Sequence, residues 1–214
     1  IPASKVGGDL YDFLEPVEGK VGVLIGDVSG KGVSAALYMA KLSSEMRFHA
    51  RGCLSPGRVL TELNRSLSEE MESGMFVTLA LMVIEPEKRR LTISSAGHLP
   101  PLLRARDGAV SELQIKGNIP LGAFEDIHYG ETEHMVQAGD SVILYTDGVT
   151  EAMNKEGVLF GTEQLKRVIA SSGEGGPEAL LAAVSRSIAE HTSGFPQSDD
   201  VAMVCLSVDQ EHVN

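Results

Sequence analysis

The chain has 214 residues, of which 43% are hydrophobic and 22% charged, and 18 Lys and Arg against 30 Asp and Glu give a formal net charge of −12. This length and apolar content predict one domain over residues 1–214 with a buried core, and the composition is not typical of disorder. A surface this acidic repels a phosphate backbone and an anionic membrane surface, which disfavours nucleic-acid binding and membrane association.

The predicted elements are short strands and two clusters of helices. The second helix is the best marked, because Ser55 is a natural N-cap, Pro56 suits the first turn, and an apolar stripe follows at helical spacing. Asp107-Gly108 is a strong hairpin signal between two later strands. In chain order the predictions are strands at 8–15 and 20–26, helices at 33–50 and 55–72, strands at 76–84, 91–95, 102–105, 110–115, 127–136 and 141–146, helices at 162–171 and 177–191, and a strand at 201–208.

Roughly nine strands joined mostly by short turns favour antiparallel pairing. Helices in two clusters, without regular strand–helix alternation, argue against a Rossmann-like fold. The sequence therefore predicts an α+β fold with two mainly antiparallel β-sheets packed face to face and helices on the outer faces.

The chain has two cysteines, Cys53 and Cys205, and neither belongs to a C-x-x-C pair. This usage favours neither a disulfide framework nor a cysteine zinc site, and it predicts a cytoplasmic location. The longest nearly apolar stretch, Met75 to Ile84, is about half of the ~20 residues that a membrane helix needs, so no membrane insertion is expected. Because the first residue is Ile1, we expect a domain excised from a longer protein.

Acidic residues recur where predicted strands begin or end. Asp9 follows two glycines, Asp27 ends an apolar run, Asp147 ends another, and Asp199 and Asp200 begin the last strand. Aspartate beside glycine is a common turn signature, so each residue alone is better explained by a turn. Together, carboxylates at one edge would repel one another, and a hard divalent cation, which prefers oxygen ligands, relieves that repulsion.

Six motifs in order cover essentially the whole chain. They resemble the SpoIIE/RsbU-type branch of the PPM (PP2C-like) metal-dependent serine/threonine protein phosphatases, and the ordered set is highly specific although each motif alone is weak. The resemblance implies a PP2C-like four-layer sandwich. The motifs are Val6-Gly7-Gly8-Asp9-Leu10-Tyr11-Asp12, Gly26-Asp27-Val28-Ser29-Gly30-Lys31-Gly32, Ser95-Ala96-Gly97-His98-Leu99-Pro100-Pro101, Pro120-Leu121-Gly122, Tyr145-Thr146-Asp147-Gly148-Val149-Thr150-Glu151 and Asp199-Asp200-Val201.

The resemblance also implies a metal centre with two Mn²⁺ or Mg²⁺ ions. Asp27 then corresponds to the bridging carboxylate, and the carbonyl of Val28 to a ligand of one ion. Asp147 and Asp199 correspond to ligands of the other ion, with Asp200 as the alternative to Asp199. Asp9 corresponds to the acid that orients water at the ions, and a water molecule shared by the two ions attacks phosphorus directly.

Two departures from the family pattern concern the site. Ala202 stands where the last motif, D-D-x-T, has threonine. No arginine near the amino terminus matches the phosphate-binding arginine of animal relatives, and Lys5 is a weak substitute. His98 is either a general acid or, more commonly in such a turn, a structural residue.

The leading hypothesis is a phosphoserine/phosphothreonine protein phosphatase acting on a phosphorylated regulator, such as an anti-sigma-factor antagonist of the STAS type. An upstream sensor or receiver domain is expected in the full-length chain, and homodimerisation is left open. The alternative is a catalytically silent PPM-like module that only binds a partner. Silent members usually lose a metal acid, whereas Asp27, Asp147 and Asp199 are all present.

Overall fold

The computed structural model describes residues 7–30, 33–68, 75–117, 119–173, 175–197 and 199–208. None of the described helices combines the length and the apolar character needed to cross a membrane. The described helices and strands are β1 Asp9–Leu14, β2 Val21–Val28, α1 Val33–Ala50, α2 Pro56–Ser68, β3 Val77–Glu85, β4 Arg90–Ala96, β5 Leu102–Arg104, β6 Val110–Glu112, β7 Thr132–Met135, β8 Ser141–Tyr145, α3 Asp147–Thr150, α4 Thr162–Ser171, α5 Gly176–Thr192 and β9 Met203–Ser207.

The chain divides into two compact units. The five-stranded unit comprises the described parts of Pro2–Leu99 and Gln114–Met135, and the four-stranded unit those of Pro100–Leu113 and Val136–Asn214. The first contains a sheet of order β1-β2-β3-β4-β7 and the second a sheet of order β6-β5-β8-β9. Every neighbouring pair of strands in both sheets is antiparallel, as the short turns predict.

In the five-stranded unit, α1 and α2 contribute to an apolar core with one face of the sheet. Leu24 and Leu81 of the sheet and Leu42 and Leu63 of the helices are among its completely or almost completely buried members. Burying side chains of this size stabilises the fold by roughly 1.5–3 kcal/mol each, which makes this core the main support of the strand ends described below.

The N-terminus of α2 is capped as its sequence predicts. Oγ of Ser55 accepts a hydrogen bond from the backbone N–H of Arg58 at 3.2 Å. Pro56 is the first residue of the helix, where a missing N–H costs no helical hydrogen bond. The last part of the predicted helix, residues 69–72, lies outside the described residues.

The four-stranded unit is built around β8, all of whose residues are buried. Its helices α4 and α5 bury Leu165, Ile169, Leu180 and Val184. The β5–β6 hairpin turns at Gly108, whose φ of 89° is accessible to glycine without strain. The predicted Asp107-Gly108 turn is therefore confirmed.

Several predicted strands were too long, including the one at 110–115, where β6 ends at Glu112. Instead of 127–136, β7 covers only Thr132–Met135, because the polar groups just before it bind α2: the N–H of Tyr129 donates to Oγ1 of Thr61 at 3.2 Å, and Glu131 accepts from the N–H of Gly57 at 2.8 Å. Likewise, β9 begins at Met203 rather than at 201.

Candidate functional site

Asp9 and Asp27 lie directly opposite each other at one end of the β1–β2 pair. The N–H of Val28 donates to the carbonyl of Gly8 at 3.1 Å, so the adjacent Asp9–Asp27 pair is of the non-hydrogen-bonded kind. In such pairs the Cα atoms are about 4.5 Å apart and the side chains, on one face of the sheet, approach most closely. Like charges in this position destabilise a sheet, and a cation beside them removes that cost.

Gly8 leaves room beside two predicted ligands. A Cβ at Gly8 would lie 2.9 Å from Oδ1 of Asp27 and 2.9 Å from the carbonyl oxygen of Val28. Both oxygens thus border a single small space that only glycine leaves open. A carboxylate and a carbonyl are oxygen donors of the kind that Mg²⁺ and Mn²⁺ take.

In the four-stranded unit, Asp147 and Asp199 are electrostatically coupled. Asp147 is the first residue of α3, directly after β8, and Asp199 precedes β9, the neighbour of β8. Burial raises the pKa of Asp147, and the negative charge of Asp199 raises it further. This second carboxylate pair is also one whose charged form a cation would favour.

The backbone around this pair is closely packed. A Cβ at Gly148 would lie 1.8 Å from the carbonyl oxygen of Asp200, so the approach requires glycine. The N–H of Thr146 donates to the carbonyl of Ala202 at 3.1 Å, and the N–H of Ala202 donates to Oγ1 of Thr146 at 3.0 Å. Position 202 is thus fixed through its backbone, which threonine and alanine share.

Asp199 and Asp200 differ in their relation to Asp147. The charge that acts on Asp147 is that of Asp199. Asp200 is buried and its backbone N–H donates to Oδ1 of Asp199 at 2.9 Å, which helps to fix the Asp199 carboxylate. Both residues precede β9 rather than beginning it, because the strand starts only at Met203.

The donor chemistry of each pair fits a hard divalent cation. Asp9, Asp27 and the Val28 carbonyl lie at one strand end of the five-stranded unit, and Asp147 and Asp199 belong to the four-stranded unit. Across the described parts of the chain, no group of three or more His, Cys, Asp and Glu side chains is clustered as a ready metal site. The metal assignments of the four aspartates therefore stay predictions.

His98 is buried, with 7% of its surface exposed. Its Nδ1 lies 3.0 Å from Oγ1 of Thr78, and Thr78 is the cross-strand partner of Asp27 on β3. Sequence reasoning missed Thr78; its signal is a lone hydroxyl in the otherwise apolar run from Val77 to Ile84. Lys5, the weak candidate for phosphate binding, lies outside the described residues.

A cavity of about 220 Å³ lies beside Asp199 in the four-stranded unit. Its wall includes Gly148 and Val201 as well as apolar residues of α5 such as Ile188. The acid predicted to bind metal thus borders an open, largely apolar space.

Known sequences that are similar to this chain include bacterial phosphatases. The sequence model of Stage II sporulation protein E (SpoIIE) matches residues 17–209. Phosphoserine phosphatase RsbU of Bacillus subtilis is 32% identical over 160 residues, which are 74% of this chain and 47% of RsbU. Phosphoserine phosphatase RsbP of the same organism is 31% identical over 153 residues, 70% of this chain and 38% of RsbP. The chain spans about half the length, or less, of these curated relatives.

Solved structures agree on the fold. The SiaA-PP2C domain of Pseudomonas aeruginosa superposes with a TM-score of 0.84 at 23% identity, covering 96% of this chain and 82% of that one. The PP2C phosphatase domain of SpoIIE from Bacillus subtilis gives 0.82 at 20% identity, covering 95% and 59%. The predicted PP2C-like α+β fold with two antiparallel sheets is confirmed.

Proposed function

Because this chain belongs to the SpoIIE family, we propose that it is a metal-dependent protein phosphatase that hydrolyses phosphoserine or phosphothreonine on a partner regulatory protein. The observation that carries the proposal is the direct opposition of Asp9 and Asp27 beside the space left by Gly8. The names of RsbU and RsbP, both phosphoserine phosphatases, support the same reaction class.

Each predicted ligand has a specific role in this proposal. Asp27 and the Val28 carbonyl would hold one ion, Asp147 and Asp199 would hold the other, and Asp27 would take the bridging role that the family resemblance implies. That both pairs serve one centre with two Mn²⁺ or Mg²⁺ ions follows from the family resemblance. When bound, two such ions lower the pKa of water and neutralise the phosphoryl oxygens.

The remaining chemistry follows from what the side chains can do. Asp9 orients the attacking water through its carboxylate. Water attacks phosphorus directly, the bond from phosphorus to the serine oxygen breaks, and serine and inorganic phosphate are released. This reaction requires no serine or cysteine nucleophile. Burial raises the pKa of the Cys205 thiol to about 11, and the thiol therefore stays protonated and unreactive.

We propose an anti-sigma-factor antagonist of the STAS type as the substrate, as the resemblance implies. A sensor or receiver domain in the additional length that the relatives have, homodimerisation and a cytoplasmic location stay predictions. The silent-module alternative predicts the loss of at least one metal acid, and Asp27, Asp147 and Asp199 are all present.

Hydrolysis of p-nitrophenyl phosphate tests the reaction class. We expect turnover with Mn²⁺, none with EDTA, and a loss of at least about 100-fold in Asp27→Asn and Asp147→Asn. The exposed Asp126→Asn variant is the matched control, since it makes the same charge change and should retain wild-type turnover. Full activity in EDTA or in either ligand variant would contradict the two-metal mechanism, and two bound ions with no turnover of any phosphoprotein would favour the binding module.

A further inference from the structure

Four residues form one row across the end of the five-stranded sheet. Asp9 on β1 is opposite Asp27 on β2, and Asp27 is opposite Thr78 on β3. His98, just beyond β4, continues the row because its Nδ1 lies 3.0 Å from Oγ1 of Thr78. Side chains of directly opposed residues lie on the same face of a sheet, so Thr78 lies in this row between Asp27 and His98.

Asp27 and Thr78 are directly opposed neighbours on β2 and β3. The N–H of Ser29 donates to the carbonyl of Phe76 at 2.9 Å. By the alternation of an antiparallel ladder, the Asp27–Thr78 pair two residues along is also of the hydrogen-bonded kind, with Cα atoms about 5.5 Å apart.

The His98 end of the row is held rigidly. The N–H of His98 donates to Oγ of Ser95 at 3.0 Å, and that hydroxyl lies 3.1 Å from the carbonyl oxygen of His98. Gly97 turns the chain at a φ of +71°, and a Cβ there would lie 2.9 Å from the ring of Pro120. A buried ring on a fixed turn is a good support for a neighbouring hydroxyl.

We propose that Thr78 and His98 are positioning residues for the Asp27 carboxylate. The inference rests on the proposed function, because it assigns Asp27 to a metal. With its proton on Nδ1, the imidazole donates to Oγ1 of Thr78, and the threonine proton is then directed to a carboxylate oxygen of Asp27. The other carboxylate oxygen is left to face the cation. Outer partners of this kind fix the orientation of metal ligands.

This assignment differs from both earlier interpretations of His98. A general acid must reach the leaving oxygen of the substrate, whereas the ring is buried and in contact with Thr78. A residue that only stabilised the turn would act through Ser95 and would leave metal affinity unchanged. The positioning role predicts that metal affinity depends on the hydroxyl at position 78 and on the ring nitrogen at position 98.

The test is the Mn²⁺ dissociation constant measured by titration calorimetry, with the melting temperature in EDTA as the check on folding. We expect Thr78→Val and His98→Leu to weaken Mn²⁺ binding about 10-fold or more. Thr78→Ser and His98→Asn, which keep a hydroxyl and a polar group near Nδ1, should stay within about threefold of wild type. The matched control is Thr92→Val, a buried threonine of the same sheet, which should bind as wild type does.

The outcomes separate this inference from the proposed function. Wild-type protein that binds no Mn²⁺ overturns both. If wild-type protein binds Mn²⁺ and the dissociation constant is the same in Thr78→Val and His98→Leu, only the positioning role is overturned. This holds even if both variants melt at a lower temperature in EDTA. If Thr78→Val is too unstable to measure, an unchanged constant in folded His98→Leu is sufficient to reject the role.

Discussion

Gly8 and Asp27 approach so closely that a Cβ on Gly8 would lie 2.9 Å from Oδ1 of Asp27. The same Cβ would lie 2.9 Å from the carbonyl oxygen of Val28, the other predicted ligand at this strand end. Contacts below 3.0 Å force something to move, and here one neighbour is backbone. Glycine at position 8 is therefore required by the space around Asp27 and Val28 and not only by a turn.

We predict that Gly8→Ala lowers Mn²⁺-dependent hydrolysis of p-nitrophenyl phosphate by about 10–100-fold, because the methyl group displaces the Asp27 carboxylate and fills the space beside it. The matched control is Gly130→Ala, whose Cβ would meet only a flexible lysine side chain, at 3.3 Å from Cβ of Lys116. Comparable activity in the two variants would show that the space beside Asp27 is not used.

Because Asp9 and Asp27 are opposed, we predict that the effect of Asp27→Asn on the melting temperature depends on whether metal is present. In EDTA, Asp27→Asn should melt at or above the wild-type temperature, because it removes the repulsion between Asp9 and Asp27. In Mn²⁺, wild-type protein should gain stability by mass action, since the ion binds the folded site, and Asp27→Asn should gain little. The measurement is thermal unfolding at matched ionic strength.

Two other results would contradict that prediction. A wild-type melting temperature that does not respond to Mn²⁺ would mean that the ion does not bind this site. A variant that melts well below wild type in EDTA would mean that the Asp27 carboxylate stabilises the metal-free fold. Asp126→Asn, on the exposed surface, controls for the change in net charge.

The sequence predicted most elements because local patterns determine them. The helical stripe and the cap at Ser55 define α2, and Asp107-Gly108 defines the β5–β6 turn. It also predicted that acids would lie at strand ends, although Asp27 lies within β2 rather than after it. These features depend on residues close together in the chain.

The missed features depend on residues far apart in the chain. Thr78 and His98 meet across 20 positions, and no local periodicity indicates that contact. Asn64 lies among apolar neighbours on α2, yet it is buried through bonds to residues about 60 positions away. Long-range contacts with α2 also explain why β7 is shorter than predicted: the segment before β7 forms hydrogen bonds with α2 and not with a strand.

Asn64 should be one of the most sensitive positions for stability. It is completely buried; its Oδ1 accepts from the N–H of Gly122 at 2.9 Å, and its Nδ2 donates to the carbonyls of Phe124 and Glu125 at 2.8 and 2.9 Å. Asn64→Ala removes three hydrogen bonds to backbone groups and leaves a small cavity, and we expect a loss of about 3 kcal/mol in the free energy of unfolding. Urea denaturation measures it through the transition midpoint.

The control for this prediction is Arg65→Ala, the next residue on the same helix. Arg65 is 63% exposed and pairs with Glu62 on the surface, so its loss should cost less than about 1 kcal/mol. Similar midpoints for the two variants would mean that the loop from Gly122 to Glu125 does not depend on Asn64.

Glu85 predicts how stability falls in acid. Hydrogen bonds from Lys88 and Arg90 lower the pKa of the buried Glu85 carboxyl from 4.5 to about 2. A folded-state pKa below the unfolded value stabilises the fold above about pH 4.5, and that contribution is lost as the pH falls towards about 2. In denaturant unfolding, the advantage of wild type over Glu85→Gln should therefore be constant near neutral pH and shrink between about pH 4.5 and 2. The control is Glu133→Gln, because Glu133 is an exposed partner of Arg90. If wild type were still more stable than Glu85→Gln at pH 2, Glu85 would stabilise the fold by packing rather than by charge.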